Sequence, residues 1–209
     1  MINKYFCHLL SICIVFSISA GATTLPSEKL QNYIEACNLM KQGIEKRDKI
    51  ILYSSMDLFD TLDIVSIPET SIRAIDDRNA LSPTLFFIPE FIDELILHKF
   101  ELAQLDEASL LRNNSVSADI SVSHHGIKAE KSMLLEIEGN GHMEILIVSS
   151  GNVAPKIEVK DKNSGKIIGN YSSSGSSSWI IWDMDSPGWF ELEISNMDKS
   201  DETFVIAIN

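Results

Sequence analysis

The 209-residue chain has few cysteines, few basic residues and no long apolar run. Each shortage excludes something. Three cysteines, Cys7, Cys13 and Cys37, are too few for a disulfide-dense scaffold. With 17 Lys and Arg against 30 Asp and Glu, the formal charge is −13, and a surface so acidic repels nucleic acid and anionic membranes. Ten glycines and six prolines exclude a collagen-like repeat, and 44% hydrophobic residues exclude a disordered tail. No repeat of fixed period, Gly-x-Ser-x-Gly elbow, metal-ligand cluster or cofactor fingerprint is present.

The apolar stretch at the start is too short to be a comfortable membrane span. Lys4 precedes a run from Tyr5 to Ile18, about 14 residues where a bilayer core needs about 20. Ser19-Ala20-Gly21-Ala22 then offers small residues for cleavage before Thr23. Residues 1–22 therefore read as a secretory signal, with export to the periplasm, cell envelope or medium and no stable membrane span after cleavage. Cleavage would remove Cys7 and Cys13 and leave Cys37 alone. Its place on an apolar helical stripe reads as buried and inert.

Two periodicities divide the rest. In residues 27–64, Leu30, Ile34, Cys37, Met40 and Ile44 recur at steps of three and four. After the polar break at Lys46–Lys49, so do Leu52, Met56, Phe59 and Leu62. The pattern predicts two amphipathic helices, with Ser27 and Asp48 as caps and Gly43 weakening the first helix. Residues 65–118 are ambiguous. Thr84–Ile88 reads as a strand, Pro89 as the first turn of a helix through Leu97, and the polar Arg112–Ser115 as a boundary.

From residue 119 the period becomes two. Met133, Leu135 and Ile137 lead to Asn140-Gly141, a hairpin signal, and then to Met143, Ile145 and Ile147. Further alternating runs are Ile157–Val159, Trp179–Trp182, Phe190–Ile194 and Phe204–Ile208. Turn residues lie between them at Lys162–Gly165, Pro187-Gly188 and Asn196–Asp201. Spacing of about 8–12 residues indicates an antiparallel sandwich with one face in water. The expected fold is α+β: a mainly helical section, 23–112, then an antiparallel β-sandwich, 113–209.

The closing segment Trp179, Asp185-Ser186-Pro187-Gly188, Trp189–Asn196 and Thr203–Ile208 resembles bacterial prepeptidase C-terminal-type jelly-roll sandwiches. The resemblance covers residues 119–209 and implies a non-catalytic accessory or binding module. It leaves the helical section unexplained.

Candidate site residues are sparse. Trp189 falls on the polar side of its strand with Glu191 and Glu193, where an aromatic ring can stack on a sugar or anchor a protein. Trp182, Trp189 and Glu191 are the expected ligand-binding residues, for a glycan or protein partner. Asp183 and Asp185, followed by Ser186, offer oxygens to calcium, but two carboxylates fall short of the six to eight ligands that ion takes, and an ordinary turn is the plainer reading. His142 and Glu144 share a strand face as a polar pair. Asp57, Asp60 and Asp63 form an acidic helix face. His124-His125-Gly126 reads as a surface turn, His98 stands alone, and Ser172–Ser178 reads as a flexible loop. Asn113 and Asn170 begin glycosylation sequons. An alternative function is a small secreted hydrolase, with the acids at 57, 60 and 63, or His142 and Glu144, converging across a cleft. Another is an acidic inhibitor of a basic partner.

Overall fold

The computed structural model describes residues 25–82, 120–169 and 171–209. The expected leader 1–22, strand Thr84–Ile88, helix through Leu97 and boundary at 112–115, with His98, Asn113 and Asn170, lie outside them. The fold is α+β; among the described residues, two helices are followed by strands in two sheets packed face to face.

Helix α1 spans Glu28–Lys46 and α2 spans Lys49–Asp60. Asp48 caps α2 as expected, its carboxylate accepting from the amides of Ile50 (2.9 Å) and Ile51 (3.4 Å). Ser27 makes no side-chain cap; a carboxylate from a distant strand takes that place, as described below. Tyr33 and Phe59 meet edge to face at 5.6 Å, and Ser55 Oγ donates to the Ala36 carbonyl at 2.7 Å, pinning the two helices together. Gly43 has a packing reason. A β-carbon there would lie 2.7 Å from the Leu52 side chain, so the helices approach too closely for any larger residue.

Residues 64–81, ambiguous in sequence, form three short strands: β1 (Ile64–Ser66), β2 (Ile72–Asp76) and β3 (Ala80–Leu81). The remaining strands are β4 (Ile120–Ile127), β5 (Ser132–Gly139), β6 (His142–Ser149), β7 (Lys156–Asp161), β8 (Ser172–Ser174), β9 (Ser177–Asp183), β10 (Gly188–Ser195) and β11 (Glu202–Ile208). A seven-stranded sheet runs β1-β4-β11-β6-β9-β8 with β3 also on β4, and a four-stranded sheet runs β2-β5-β10-β7. The helical section thus contributes strands to both sheets.

The Asn140-Gly141 turn forms, with Gly141 at φ +67°, but it does not make a hairpin. β5 pairs with β2 and β10, whereas β6 pairs with β11 and β9 in the other sheet. The dipeptide supplies the positive φ of a tight reversal, and here the reversal carries the chain across the sandwich. The link at Pro187-Gly188 also crosses between sheets, whereas β8 and β9 form a true hairpin through Gly175.

Between the sheets lies a core that includes Leu135, Ile137, Val159, Phe190 and Leu192 on one side and Ile145, Ile147, Ile180, Phe204 and Ile206 on the other. A second core joins α1 and α2 to the outer side of the larger sheet. There Leu30, Tyr33, Cys37, Met40, Leu52 and Phe59 meet Ile120, Val122, Leu146, Val148, Trp179, Val205 and Ala207. The larger sheet is therefore buried on both faces. This departs from the expectation of sheets wetted on one side. Burial on both faces explains why Ile145-Leu146-Ile147-Val148 and Phe204-Val205-Ile206-Ala207 are unbroken apolar runs. Among the described residues, only the four-stranded sheet keeps a polar outer face.

Candidate functional site: the open face of the four-stranded sheet

No described helix packs on the outer face of the four-stranded sheet. Strand alternation dictates what stands there. Inward Leu135, Ile137, Phe190, Leu192, Ile157 and Val159 force their neighbours outward. The registers set Arg73 of β2 beside Glu136 of β5, Glu136 beside Glu191 of β10, and Glu191 beside Lys160 of β7. Trp189 lies opposite Glu138, and Glu193 lies opposite Glu158.

Trp189 is half-buried, and the Arg73 guanidinium sits over its ring at 4.7 Å from the centroid, a cation–π contact. Arg73 also pairs with the Glu136 carboxylate through Nε and Nη2, and Lys162 Nζ pairs with the other oxygen of that carboxylate. The Glu136 side chain is only 8% exposed because the ends of Arg73 and Lys162 lie across it. Hydrogen bonds from Lys162 and Arg73 hold its carboxyl below the ordinary range. Lys160 and Glu158 pair at 2.7 Å on β7, which raises the lysine pKa and lowers that of the carboxyl. The face thus carries Arg73, Lys160 and Lys162 among several glutamates, with Trp189 towards one end of β10.

Of the expected ligand-binding residues, Trp189 and Glu191 share this face and Trp182 does not. Trp182 points into the core, 8% exposed, and meets Phe190 edge to face at 5.5 Å. Its partner in alternation is Ile180, which fixes it inward. Asp183 is exposed and accepts from or shares a proton with His142 Nδ1 at 2.7 Å, while Asp185 lies exposed in the following turn. Among the described residues no group of three or more His, Cys, Asp or Glu is placed to hold a metal ion.

The His142–Glu144 pair exists and has a structural setting. His142 Nε2 lies 3.4 Å from Glu144 Oε1. Both Glu144 oxygens accept from the Ser27 amide at 3.1 Å, and Oε2 accepts from Asn209 Nδ2 at 3.2 Å. Glu144 is the distant carboxylate that caps α1. Burial alone would raise its pKa, but these hydrogen bonds outweigh burial and lower it; Asp183 and then Glu144 raise that of His142. The acids at 57, 60 and 63, the other group offered for a cleft, lie elsewhere. Asp57 and Asp60 are exposed on α2. Asp63 precedes β1, three strand positions from β6, a separation of about 14 Å at strand spacing. The converging-acid hydrolase is not assembled from these groups.

His124 and His125 lie within β4 rather than in a turn. His125 accepts from or donates to Ser123 Oγ at 2.9 Å, and burial pushes its pKa down to about 4. Cys37 is buried, as expected, and burial pushes its thiol pKa up. The serine run is largely strand, in β8 and β9. Sequence reasoning missed Arg73, Glu136 and Lys162, which meet only through the pairing of β2, β5, β10 and β7.

No family model matches the chain, and none of the curated proteins does. A solved structure to which it is similar is the pre-peptidase C-terminal domain of a collagenase from Bacillus anthracis. The two share 9% identity over 42% of this chain and 88% of that chain, with a TM-score of 0.35. The likeness is distant and of fold alone.

Proposed function

We propose that this is an exported interaction module that docks a protein partner on the outer face of its four-stranded sheet. The observation that carries the reading is the contrast between the two outer faces. One is sealed by the helical hairpin; the other is covered by no described helix and presents Trp189, Arg73 and several charged groups. Trp and Arg are the side chains that most often anchor protein interfaces, and charged groups around them fix the register of a partner. The face is broad and its aromatic ring is already covered by a guanidinium, which suits a protein surface better than a single sugar ring. Export rests on reading residues 1–22 as a secretory signal, whose removal would leave Cys37, which is buried, as the single cysteine.

The test is affinity capture from the native envelope and medium with the wild type, Trp189→Ala and Arg73→Glu, beside a glycan array. A protein recovered by the wild type and reduced at least about tenfold by either variant supports the reading. Equal recovery by all three, no recovered protein, or a glycan ligand instead would reject it.

A further inference from the structure

At the end of the larger sheet remote from Glu144, helix α1 delivers a lysine to a serine. Lys41 Nζ lies 2.6 Å from Ser176 Oγ and 2.5 Å from the Gly151 carbonyl oxygen. Ser176 is 6% exposed and sits at the β8–β9 turn, beside Gly175. A β-carbon on Gly175 would meet nothing within 4 Å, so the turn opens outward there. The 149–151 backbone holds the serine from the other side: Ser149 N donates to the Ser176 carbonyl at 2.9 Å.

The geometry has the form a neutral amine base requires. As an ammonium, Lys41 Nζ donates to both the Gly151 carbonyl and Ser176 Oγ; once it gives up a proton, the Gly151 bond keeps the nitrogen within reach of the Ser176 hydroxyl. Partial burial brings the Lys41 pKa down to about 8, against the opposing pull of Cys37 on its own helix and of Glu202 on β11. Glu202 is itself engaged, accepting from Ser150 Oγ at 2.6 Å and Ser200 Oγ at 3.1 Å. Alternation puts Ser177 on the helix-facing side of β9 with Trp179. Its hydroxyl is buried with no partner among the described residues.

We propose that Ser176 is a nucleophile with Lys41 as its general base, and that the site accepts the acyl group of an ester. The Ser176 oxygen adds to the ester carbonyl carbon while its proton passes to Lys41 Nζ. The tetrahedral adduct collapses, the bond to the leaving alkoxide breaks, and Nζ returns the proton to that oxygen. Water repeats the sequence to release the acid and restore the serine. This activity lies apart from the open sheet face and does not depend on partner docking.

The experiment treats the purified protein with a fluorophosphonate, which forms a Ser–O–P bond and releases fluoride, and reads intact mass and peptide map. The expected result is one adduct, on Ser176, whose rate rises with pH around a midpoint near 8. Ser176→Ala abolishes it. Lys41→Arg, which keeps the charge and the stem but stays protonated, slows it about a hundredfold with unchanged circular dichroism; Lys41→Met provides the same readout without a charge. A lysine that only tethers α1 to the sheet would alter the melting temperature and leave no pH-dependent label. No adduct on the folded wild type at pH 9, an adduct that survives Ser176→Ala, or wild-type rates in both lysine variants would overturn the proposal.

Discussion

Asn196 shows how much one side chain can hold. It is 2% exposed, and its amide donates to the carbonyls of Ile127, Lys128 and Ser200 while its oxygen accepts from the Asp198 amide at 2.9 Å. It closes the corner where β10 passes to β11. Asn196→Ala leaves buried carbonyls unpaired and should cost about 2–4 kcal/mol in a urea titration. Glu144 makes a pH prediction with a definite sign. Its pKa is lower folded than unfolded, so its contribution is full above the ordinary carboxylate range and is lost as pH falls through the lowered value. His142 is raised, so its smaller, largely exposed contribution is full below its ordinary value and is lost as pH rises through the raised one. Thermal melts should decline on the acid side, and Glu144→Gln should flatten that decline. At this scale the sequence was only partly legible. His142 with Glu144 follows from strand alternation, but Lys41 and Ser176 are 135 positions apart, and no local pattern joins them.

At the scale of elements, the period of each segment was readable where the segment was long. Both helices, the Asp48 cap and the strands β5, β6, β7, β10 and β11 match their patterns, whereas His124–Gly126 in β4 and the serines of β8 read as turn and loop. What the pattern could not carry was the pairing. Asn140-Gly141 specifies a backbone conformation and not a neighbour, so β5 and β6 were free to enter different sheets. The strands β1–β3, of two to five residues, are too short for a period to emerge, and their conformation is set by β4 and β5. Gly43 illustrates propensity yielding to packing. A helix scale alone would make Gly43→Ala favourable by about 1 kcal/mol. The 2.7 Å approach of Leu52 should reverse the sign, giving a net loss of about 1–3 kcal/mol by calorimetry or denaturation.

For the whole molecule, three layers follow from one economy of apolar surface. The helices cannot bury their stripe alone, and the larger sheet cannot leave Val122, Leu146, Val148, Trp179 and Val205 in water. Residues 120–209 expressed without the hairpin should therefore associate or precipitate, whereas 25–209 should remain dispersed in light scattering. The sequence signal for this was the unbroken apolar runs of β6 and β11, which differ from the alternating β7 and β10 because those two have a face in water. That remaining wet face is the surface assigned to the partner. Trp179 and Trp182 are each under a tenth exposed, which leaves Trp189 as the tryptophan available to solvent. Hydroxyl-radical footprinting of the protein alone and with its captured partner gives the most direct test. The account predicts that Trp189 is oxidised in the free protein and shielded severalfold in the complex. An unchanged Trp189 rate, with shielding on the helical hairpin or the sandwich loops instead, would contradict it.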